Sequence, residues 1–264
     1  MNLKYFTKVL LAIPFLPIIY FQAKAIKAKF PILPEAEGSK GLAPSVHNKR
    51  LRVLAIGESS IAGVGVKTHE EGFTGTLARE LAAFFNINVE WKVYAKRGFT
   101  AKKVEEMLVP QITEKEFDLV VIGVGGNDTF QLNNPTRWKK DVQQLIKSLK
   151  GKFDVPIVFI NMPPIKELPA FTKTIKLVLG NVEKMLSEEL DKLVRLHKDT
   201  YYYSNSITMS DWIARFNVPS ESAIFFSDGV HPSKLAYQVW ARDVAGFIRT
   251  HPQLSAALNW MDEA

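Results

Sequence analysis

Residues 51–60 read LRVLAIGESS, an apolar run that ends at a glycine followed by an acid and two serines. The apolar run is continuous rather than alternating, which is typical of a strand covered on both faces in a parallel sheet. Two more runs of this kind follow at 119–122 and 157–160. The sequence therefore predicts a parallel sheet that begins near Leu51.

Helical patterns separate the predicted strands. Five strands are predicted, at 51–57, 88–95, 118–124, 155–161 and 200–204. Apolar residues recur at helical spacing in four further segments, 76–85, 137–150, 172–197 and 234–250. This alternation favours a doubly wound α/β sheet of five parallel strands, with ligands bound at the carboxyl ends of the strands.

The N-terminal segment 1–30 has the features of a leader. Lys4 and Lys8 precede an uncharged, mostly apolar run at 9–23, and small residues flank Lys24. This pattern resembles a signal peptide. A membrane-spanning helix is less favoured, because a helix over the run would span only about 22 Å of a hydrocarbon layer of roughly 30 Å. An uncleaved anchor, an interfacial segment on anionic lipid and a helix packed on the domain are the alternatives. We expect a protein that is exported, periplasmic or membrane-anchored, with residues 1–30 as the membrane contact.

The charge of the chain is concentrated near its start. The net charge is +7, of which residues 1–50 carry +6. The remainder is nearly neutral, which argues against a nucleic-acid partner.

Residues 31–50 hold three prolines and two glycines without apolar periodicity, so they are predicted to be a linker before a domain at 51–264. The chain has no cysteine, which excludes a thiolate nucleophile and a cysteine zinc site.

Ser59 is the candidate nucleophile. It follows the first predicted strand directly, on a turn that Gly57 opens. A serine hydroxyl becomes nucleophilic when a neighbouring base accepts its proton. Such a turn would hold Oγ above the sheet and point the Ser59 N–H to where an acyl oxyanion develops. The alternative is that Ser59 or Ser60 only caps a helix.

His231 is the candidate base, because Asp228 precedes it by three residues. At this spacing a carboxylate reaches Nδ1 of the imidazole, fixes its tautomer and leaves Nε2 for Ser59. The alternative is that Asp228 caps the helix predicted at 233–250. The other four histidines are at positions that suit solvated or capping roles, namely His47, His69, His197 and His251.

Two further segments offer hydrogen-bond donors to an oxyanion. Gly98 follows the second predicted strand, and Asn127 follows the third within Gly125-Gly126-Asn127-Asp128. A glycine N–H approaches a tetrahedral intermediate closely, and the Asn127 amide adds another donor. Taken singly, each segment is ordinary turn chemistry.

The four segments taken in order resemble the SGNH/GDSL hydrolase superfamily, from about Leu51 to Phe247. The resemblance implies a flavodoxin-like three-layer α/β/α sandwich and a GDSL-type esterase or lipase. It implies Ser59 as nucleophile, His231 as base and Asp228 as the residue that orients the base. The implied oxyanion hole consists of the Ser59 N–H, the Gly98 N–H and the Asn127 side chain.

Glu58 departs from the family pattern, which usually has aspartate at this place. Glutamate keeps the carboxylate but lengthens its arm by one methylene, so we expect different hydrogen bonds around the nucleophile turn. The residues assigned to the chemistry are unchanged, and activity is expected to persist.

The leading hypothesis is a serine hydrolase that cleaves carboxylic esters, with short acyl chains, through an acyl-enzyme at Ser59. Its expected partner is a small-molecule, lipid or glycan ester, and the reaction uses no metal and no cofactor. An O-acyl deacetylase or acyltransferase acting on a cell-envelope glycan and a non-catalytic binding module remain alternatives. Candidates for an acyl pocket, or alternatively for the core, are Phe130, Trp138, Met162, Pro163, Pro164, Ile165, Phe171, Phe225 and Phe226. The oligomeric state stays open.

Overall fold

The computed structural model describes residues 32–206, 208–216 and 222–258, together with 17, 21, 22, 24 and 25. The predicted signal peptide or anchor at 1–30 therefore lies almost wholly outside the described residues. Among the residues that are described, no helix has the length and apolar character needed to cross a membrane.

A six-stranded sheet forms the centre of the domain, in the order β1-β3-β2-β4-β5-β6. Its strands are β1 (Lys40–Ala43), β2 (Arg50–Gly57), β3 (Asn88–Ala95), β4 (Leu119–Gly123), β5 (Ile157–Phe159) and β6 (Thr200–Tyr202). Strands β2 to β6 are parallel, and β1 pairs antiparallel with β3 at the edge. The five predicted parallel strands are confirmed, and β1 is an additional strand.

Helices follow most of the strands. They are α1 (Phe73–Phe85), α2 (Ala101–Lys103), α3 (Gly126–Phe130), α4 (Pro135–Lys152), α5 (Lys173–Val194), α6 (Met209–Phe216), α7 (Lys234–Thr250) and α8 (Pro252–Ala257). A π-helical segment at Val104–Leu108 and 3₁₀ turns at Val109–Gln111 and Ser222–Phe225 complete the set. The four predicted helices correspond to α1, α4, α5 and α7.

The sheet is buried on both faces, which explains the continuous apolar runs. In β2, Val53 and Ala55 pack in one core with α1 and α7. Leu54 and Ile56 point the other way, into a second core with α4 and α5. This alternation follows from the two-residue period of a strand. The predicted three-layer sandwich is thereby confirmed.

Part of the segment predicted as a linker, 31–50, pairs with the domain. Strand β1 pairs with β3 along its whole length. The Ala36 N–H donates to the Ala62 carbonyl at 2.9 Å, on the loop that follows Ser59. A Cβ on Gly41 would lie 2.3 Å from the Trp91 ring, so a glycine is needed where β1 crosses it. The structure differs from the linker prediction because backbone hydrogen bonds, not an apolar pattern, hold this segment.

His69 is buried, contrary to the solvated or capping role predicted from sequence. The His69 ring is 6.5 Å from the Trp91 ring, and the backbone N–H of His69 donates to the Glu37 carbonyl at 2.9 Å. Burial lowers the pKa of His69 to about 4, although the nearby Glu35 carboxylate acts in the opposite direction. By contrast, His251 does cap α8, where it accepts the Leu254 N–H.

We expect His69 to make the fold sensitive to acid. Between pH 6.5 and 4 the unfolded chain takes up a proton at this residue, whereas the folded chain does not. Stability is therefore lost as the pH falls through this window, by about 3 kcal/mol for this residue alone. Urea unfolding at pH 7 and pH 4 should show wild type losing that much more stability than His69→Gln. The exposed His47→Gln variant is the control, and equal losses in wild type and His69→Gln would contradict the prediction.

Candidate active site

Ser59 sits on a tight turn at the carboxyl end of β2. The Glu58 N–H donates to the Gly123 carbonyl at 2.9 Å, and the Glu58 carbonyl accepts the Ala62 N–H at 2.8 Å. A Cβ on Gly57 would lie 2.1 Å from the Gly123 carbonyl oxygen, so β2 and β4 approach closely only because residue 57 is glycine. Ser59 is half-buried and lines a cavity above the sheet. Its N–H has no acceptor among the described residues.

Asp228 and His231 form the predicted pair in the loop before α7. His231 Nδ1 and Asp228 Oδ2 are 2.7 Å apart. The other carboxylate oxygen, Oδ1, accepts the backbone N–H groups of His231 at 2.7 Å and Val230 at 3.0 Å. A carboxylate only accepts, so Nδ1 carries the proton and Nε2 is left as the basic nitrogen.

The hydrogen bonds also determine the charge of Asp228. Burial by itself would raise the pKa of this carboxyl. That effect is outweighed by hydrogen bonds from the His231 side chain and backbone, by the electrostatic interaction with His231 and by the Val230 N–H. Together they lower the pKa of Asp228 to about 2. The carboxylate therefore stays ionised at any pH at which esterases are normally assayed.

Several contacts join the histidine loop to the nucleophile loop. Ser227 Oγ donates to the Gly65 carbonyl at 3.0 Å, and the Tyr237 hydroxyl donates to the Val64 carbonyl at 2.9 Å. Gly65 has a φ of +108°, and a Cβ there would lie 2.4 Å from the Pro232 carbonyl oxygen. The approach of the two loops thus depends on a glycine. As a result, Ser59 and His231 line the same cavity.

Asn127 lines this cavity from the start of α3. Its Nδ2 is 2.5 Å from Glu58 Oε2 and 3.1 Å from the Phe99 carbonyl oxygen. Glu58 is 2% exposed, and its two oxygens also accept the N–H groups of Gly126 and Asn127. Burial raises the pKa of Glu58 to about 7, although these hydrogen bonds oppose the shift.

Gly98 lies in the turn after β3, with a φ of +79°. It is exposed and is not among the residues that line the cavity in the described part of the chain. The next residue in the chain, Phe99, accepts a hydrogen bond from the Asn127 side chain through its carbonyl. The assignment of its N–H to the oxyanion hole stays a prediction.

Most of the cavity wall is apolar. Of the residues proposed for an acyl pocket, four line the cavity: Phe130, Pro163, Pro164 and Phe226. Phe171 packs edge-to-face on Phe130, at 5.8 Å between ring centroids. The other four are buried core residues, which was the alternative for them: Trp138, Met162, Ile165 and Phe225. The cavity has an empty volume of about 580 Å³, part of it open to solvent.

The sequence reasoning missed one wall of this cavity. That wall comes mainly from α6, α7 and the segments before them, through Leu168, Met209, Trp212, Val230, Ala236 and Trp240. Ala236 and Trp240 are four residues apart on α7, which begins just after His231. Their four-residue spacing puts them on one face of this helix, and that spacing is the signal that would have identified them. Within the described residues no cluster of three or more metal-ligating side chains is present.

Comparison with known proteins agrees with this geometry. A model of the GDSL-like lipase/acylhydrolase family matches residues 55–239. The chain belongs to this family. The match runs from within β2 to within α7, includes Ser59, Gly98, Asn127, Asp228 and His231, and confirms the resemblance seen in the sequence. Membership makes the protein a hydrolase of the GDSL esterase and lipase class. A search of curated proteins found no match.

Solved structures of the same fold are numerous but distant in sequence. The lipase Lip_vut3 from a goat rumen metagenome is 18% identical, with a TM-score of 0.54 over 75% of this chain and 98% of the lipase. The esterase EstA from Pseudoalteromonas sp., inhibited by monoethylphosphonate, is 17% identical, with a TM-score of 0.54 over 79% and 98% of the two chains. The acetyl xylan esterase AlAXEase is 15% identical, with a TM-score of 0.56 over 75% and 100%. At these identities the likeness concerns the fold.

Proposed function

We propose that this GDSL-family hydrolase cleaves carboxylic esters through an acyl-enzyme at Ser59. The observation that carries the proposal is the common cavity of Ser59, His231 and Asn127, with Asp228 bonded to His231 at 2.7 Å. This set supplies a nucleophile, a base, a residue that orients the base and an amide donor. These are the parts that acyl transfer to serine requires.

The first half-reaction begins when His231 Nε2 accepts the proton of the Ser59 hydroxyl. Oγ then attacks the ester carbonyl carbon, and the negative charge moves to the carbonyl oxygen. The free Ser59 N–H is a donor suited to this oxyanion, and the Asn127 amide is the second. Asp228 stabilises the imidazolium that forms. Collapse of the intermediate breaks the bond to the alcohol, which takes the proton from His231.

Water completes the second half-reaction on the same groups. His231 accepts a proton from water, hydroxide adds to the acyl carbon, and Ser59 leaves with the proton returned. The apolar wall favours a substrate that places a hydrocarbon acyl group in the cavity. A glycan acceptor in place of water would turn the enzyme into an acyltransferase. The acetyl xylan esterase fold neighbour is consistent with a glycan ester as the alternative substrate.

We also propose that the protein acts beyond the cytoplasm or at a membrane. The support is the basic and apolar composition of residues 1–30, together with the near-neutral charge of the remainder. Fractionation of cells that express the full chain tests this proposal. Recovery of the chain in the cytoplasmic fraction alone would contradict it.

The ester activity is tested with a fluorophosphonate probe and with p-nitrophenyl acetate, butyrate and octanoate. Labelling at Ser59 together with ester turnover is the expected result. Labelling without turnover of any of the three esters would favour the acyltransferase. A folded protein that neither reacts with the probe nor hydrolyses the esters would favour the binding module.

Leu168 is expected to limit the acyl chain. It lines the cavity and is 1% exposed. Leu168→Ala should move the preferred p-nitrophenyl ester to a chain one or two methylenes longer, since each methylene buried contributes about 0.8 kcal/mol. The measurement is kcat/KM across a series of acyl lengths. Leu179→Ala is the matched control, because Leu179 packs in the same apolar cluster but does not line the cavity. An equal change in both variants would contradict the assignment.

A further inference from the structure

Glu58 joins the nucleophile turn to the start of α3. Its carboxylate accepts the Gly126 N–H at 2.7 Å and the Asn127 N–H at 2.8 Å. It also accepts from the Asn127 side chain at 2.5 Å. A Cβ on Gly126 would lie 2.7 Å from Glu58 Oε1, so the carboxylate occupies the space that a larger residue would need. The glutamate is thus fitted to this helix end.

The Asn127 amide is held at both of its hydrogens. An asparagine Nδ2 carries two hydrogens, and here one faces Glu58 Oε2 and the other faces the Phe99 carbonyl. The Phe99 carbonyl is an acceptor only, and so is the Glu58 carboxylate in its ionised form. If the amide turned over, its Oδ1 would face two acceptor oxygens and repel both. The Glu58 carboxylate and the Phe99 carbonyl therefore determine that Asn127 presents donors at this position.

The two bonds of the amide differ in strength. The bond to Glu58 is short, and it is charge-assisted when the carboxylate is ionised. The bond to Phe99 is longer, at 3.1 Å, and joins neutral groups. An oxyanion competes more easily for the second hydrogen than for the first. The Glu58 bond is thus the anchor, and the Phe99 bond is the one that is exchanged.

We propose that Glu58 is a positioning residue that anchors Asn127 as an oxyanion donor, and that the Phe99 carbonyl is the resting acceptor which the oxyanion displaces. The inference rests on the proposed function and adds a residue to it. Glu58 touches no reacting atom and acts only through Asn127. One carboxylate accepts from the backbone N–H groups of Gly126 and Asn127 and from the Asn127 amide together.

A double-mutant cycle tests the anchor. Asn127→Ala is expected to lower kcat by about 10²–10³ in wild type. Glu58→Gln puts an NH₂ group where one carboxylate oxygen accepted, so it is expected to lower kcat by about 10–10², with KM nearly unchanged. In the Glu58→Gln background, Asn127→Ala should then cost less than about tenfold, because the donor is already misplaced. Losses that multiply independently would overturn the proposal.

Two variants separate this role from a structural one. Glu183 is a half-buried glutamate whose pKa burial also raises to about 7, and it is not among the residues that line the cavity. Glu183→Gln makes the same charge change and is expected to keep wild-type kcat. Glu58→Asp keeps an acceptor-only carboxylate and is expected to retain kcat within about tenfold of wild type. If Glu58→Asp lost as much kcat as Glu58→Gln, an acceptor carboxylate at this place would not be what Asn127 needs, and the proposal would be overturned.

A measurement on the wild-type protein follows the amide itself. The side-chain NH₂ protons of Asn127, assigned by comparison with Asn127→Ala, are followed by NMR before and after reaction with the fluorophosphonate. Slow rotation about the amide C–N bond keeps the two protons distinct, and we expect the one that bonds to the Phe99 carbonyl to move on reaction while the one that bonds to Glu58 stays. Equal movement of both signals, or shifts equal to those of a solvent-exposed asparagine amide before reaction, would overturn the proposal. Absence of Ser59 labelling would instead count against the proposed function.

Discussion

Ser59→Ala is expected to lower kcat for p-nitrophenyl esters by about 10⁵–10⁶-fold. Removal of the nucleophile ends the acyl-enzyme route, and only binding and the oxyanion donors then remain to assist water. The side chain is half-buried, and no hydrogen bond of its Oγ stabilises the turn in the described structure. The variant should therefore unfold at the same urea concentration as wild type. The measurement is turnover together with probe labelling, on protein shown to be folded.

Ser60→Ala distinguishes the two adjacent serines. Ser60 is 5% exposed and lines the same cavity, so it is the other candidate nucleophile. With Ser59 as nucleophile, Ser60→Ala keeps probe labelling, whereas Ser59→Ala abolishes it. The opposite pattern would move the nucleophile by one residue. A peptide map of the labelled protein locates the adduct directly.

The sheet and the polar residues of the site could be predicted because each has a local signal. The apolar runs in β2, β4 and β5 are continuous because helices cover both faces of the sheet. Asp228 and His231 are three residues apart, within the reach of one turn. Ser59 and Asn127 follow strands, and parallel strands bring their carboxyl ends to one edge. Local patterns and sheet topology were sufficient for these residues.

Other features depend on contacts between distant parts of the chain. The Glu58 carboxylate bonds to a helix end that begins 68 residues later. His69 is buried by Trp91 and by the segment that includes Glu37, and no pattern around His69 indicates this. Strand β1 has only four residues and joins the edge of the sheet through its backbone. Such pairings appear only once the chain is folded.

Asp228→Asn is expected to lower kcat by about 10⁴-fold, with little change in KM. In wild type, Oδ1 accepts two backbone N–H groups, so the oxygen of an asparagine would remain there. Its NH₂ would then face His231 Nδ1 and donate to it. The proton of the imidazole would move to Nε2, which could no longer accept the proton of Ser59. The loss thus comes from the wrong tautomer, in a site that keeps its shape.

The pair is tested as a unit by combining the two variants. His231→Ala alone removes the base, so adding Asp228→Asn to it should lower kcat by less than about tenfold more. Asp228→Asn within tenfold of wild-type kcat would show that the carboxylate does not orient the base. Because the pKa of Asp228 is about 2, the carboxylate does not titrate between pH 4 and 9. A loss of wild-type activity in that range therefore reports another group of the site, and in Asp228→Asn the maximal rate should stay low at every pH.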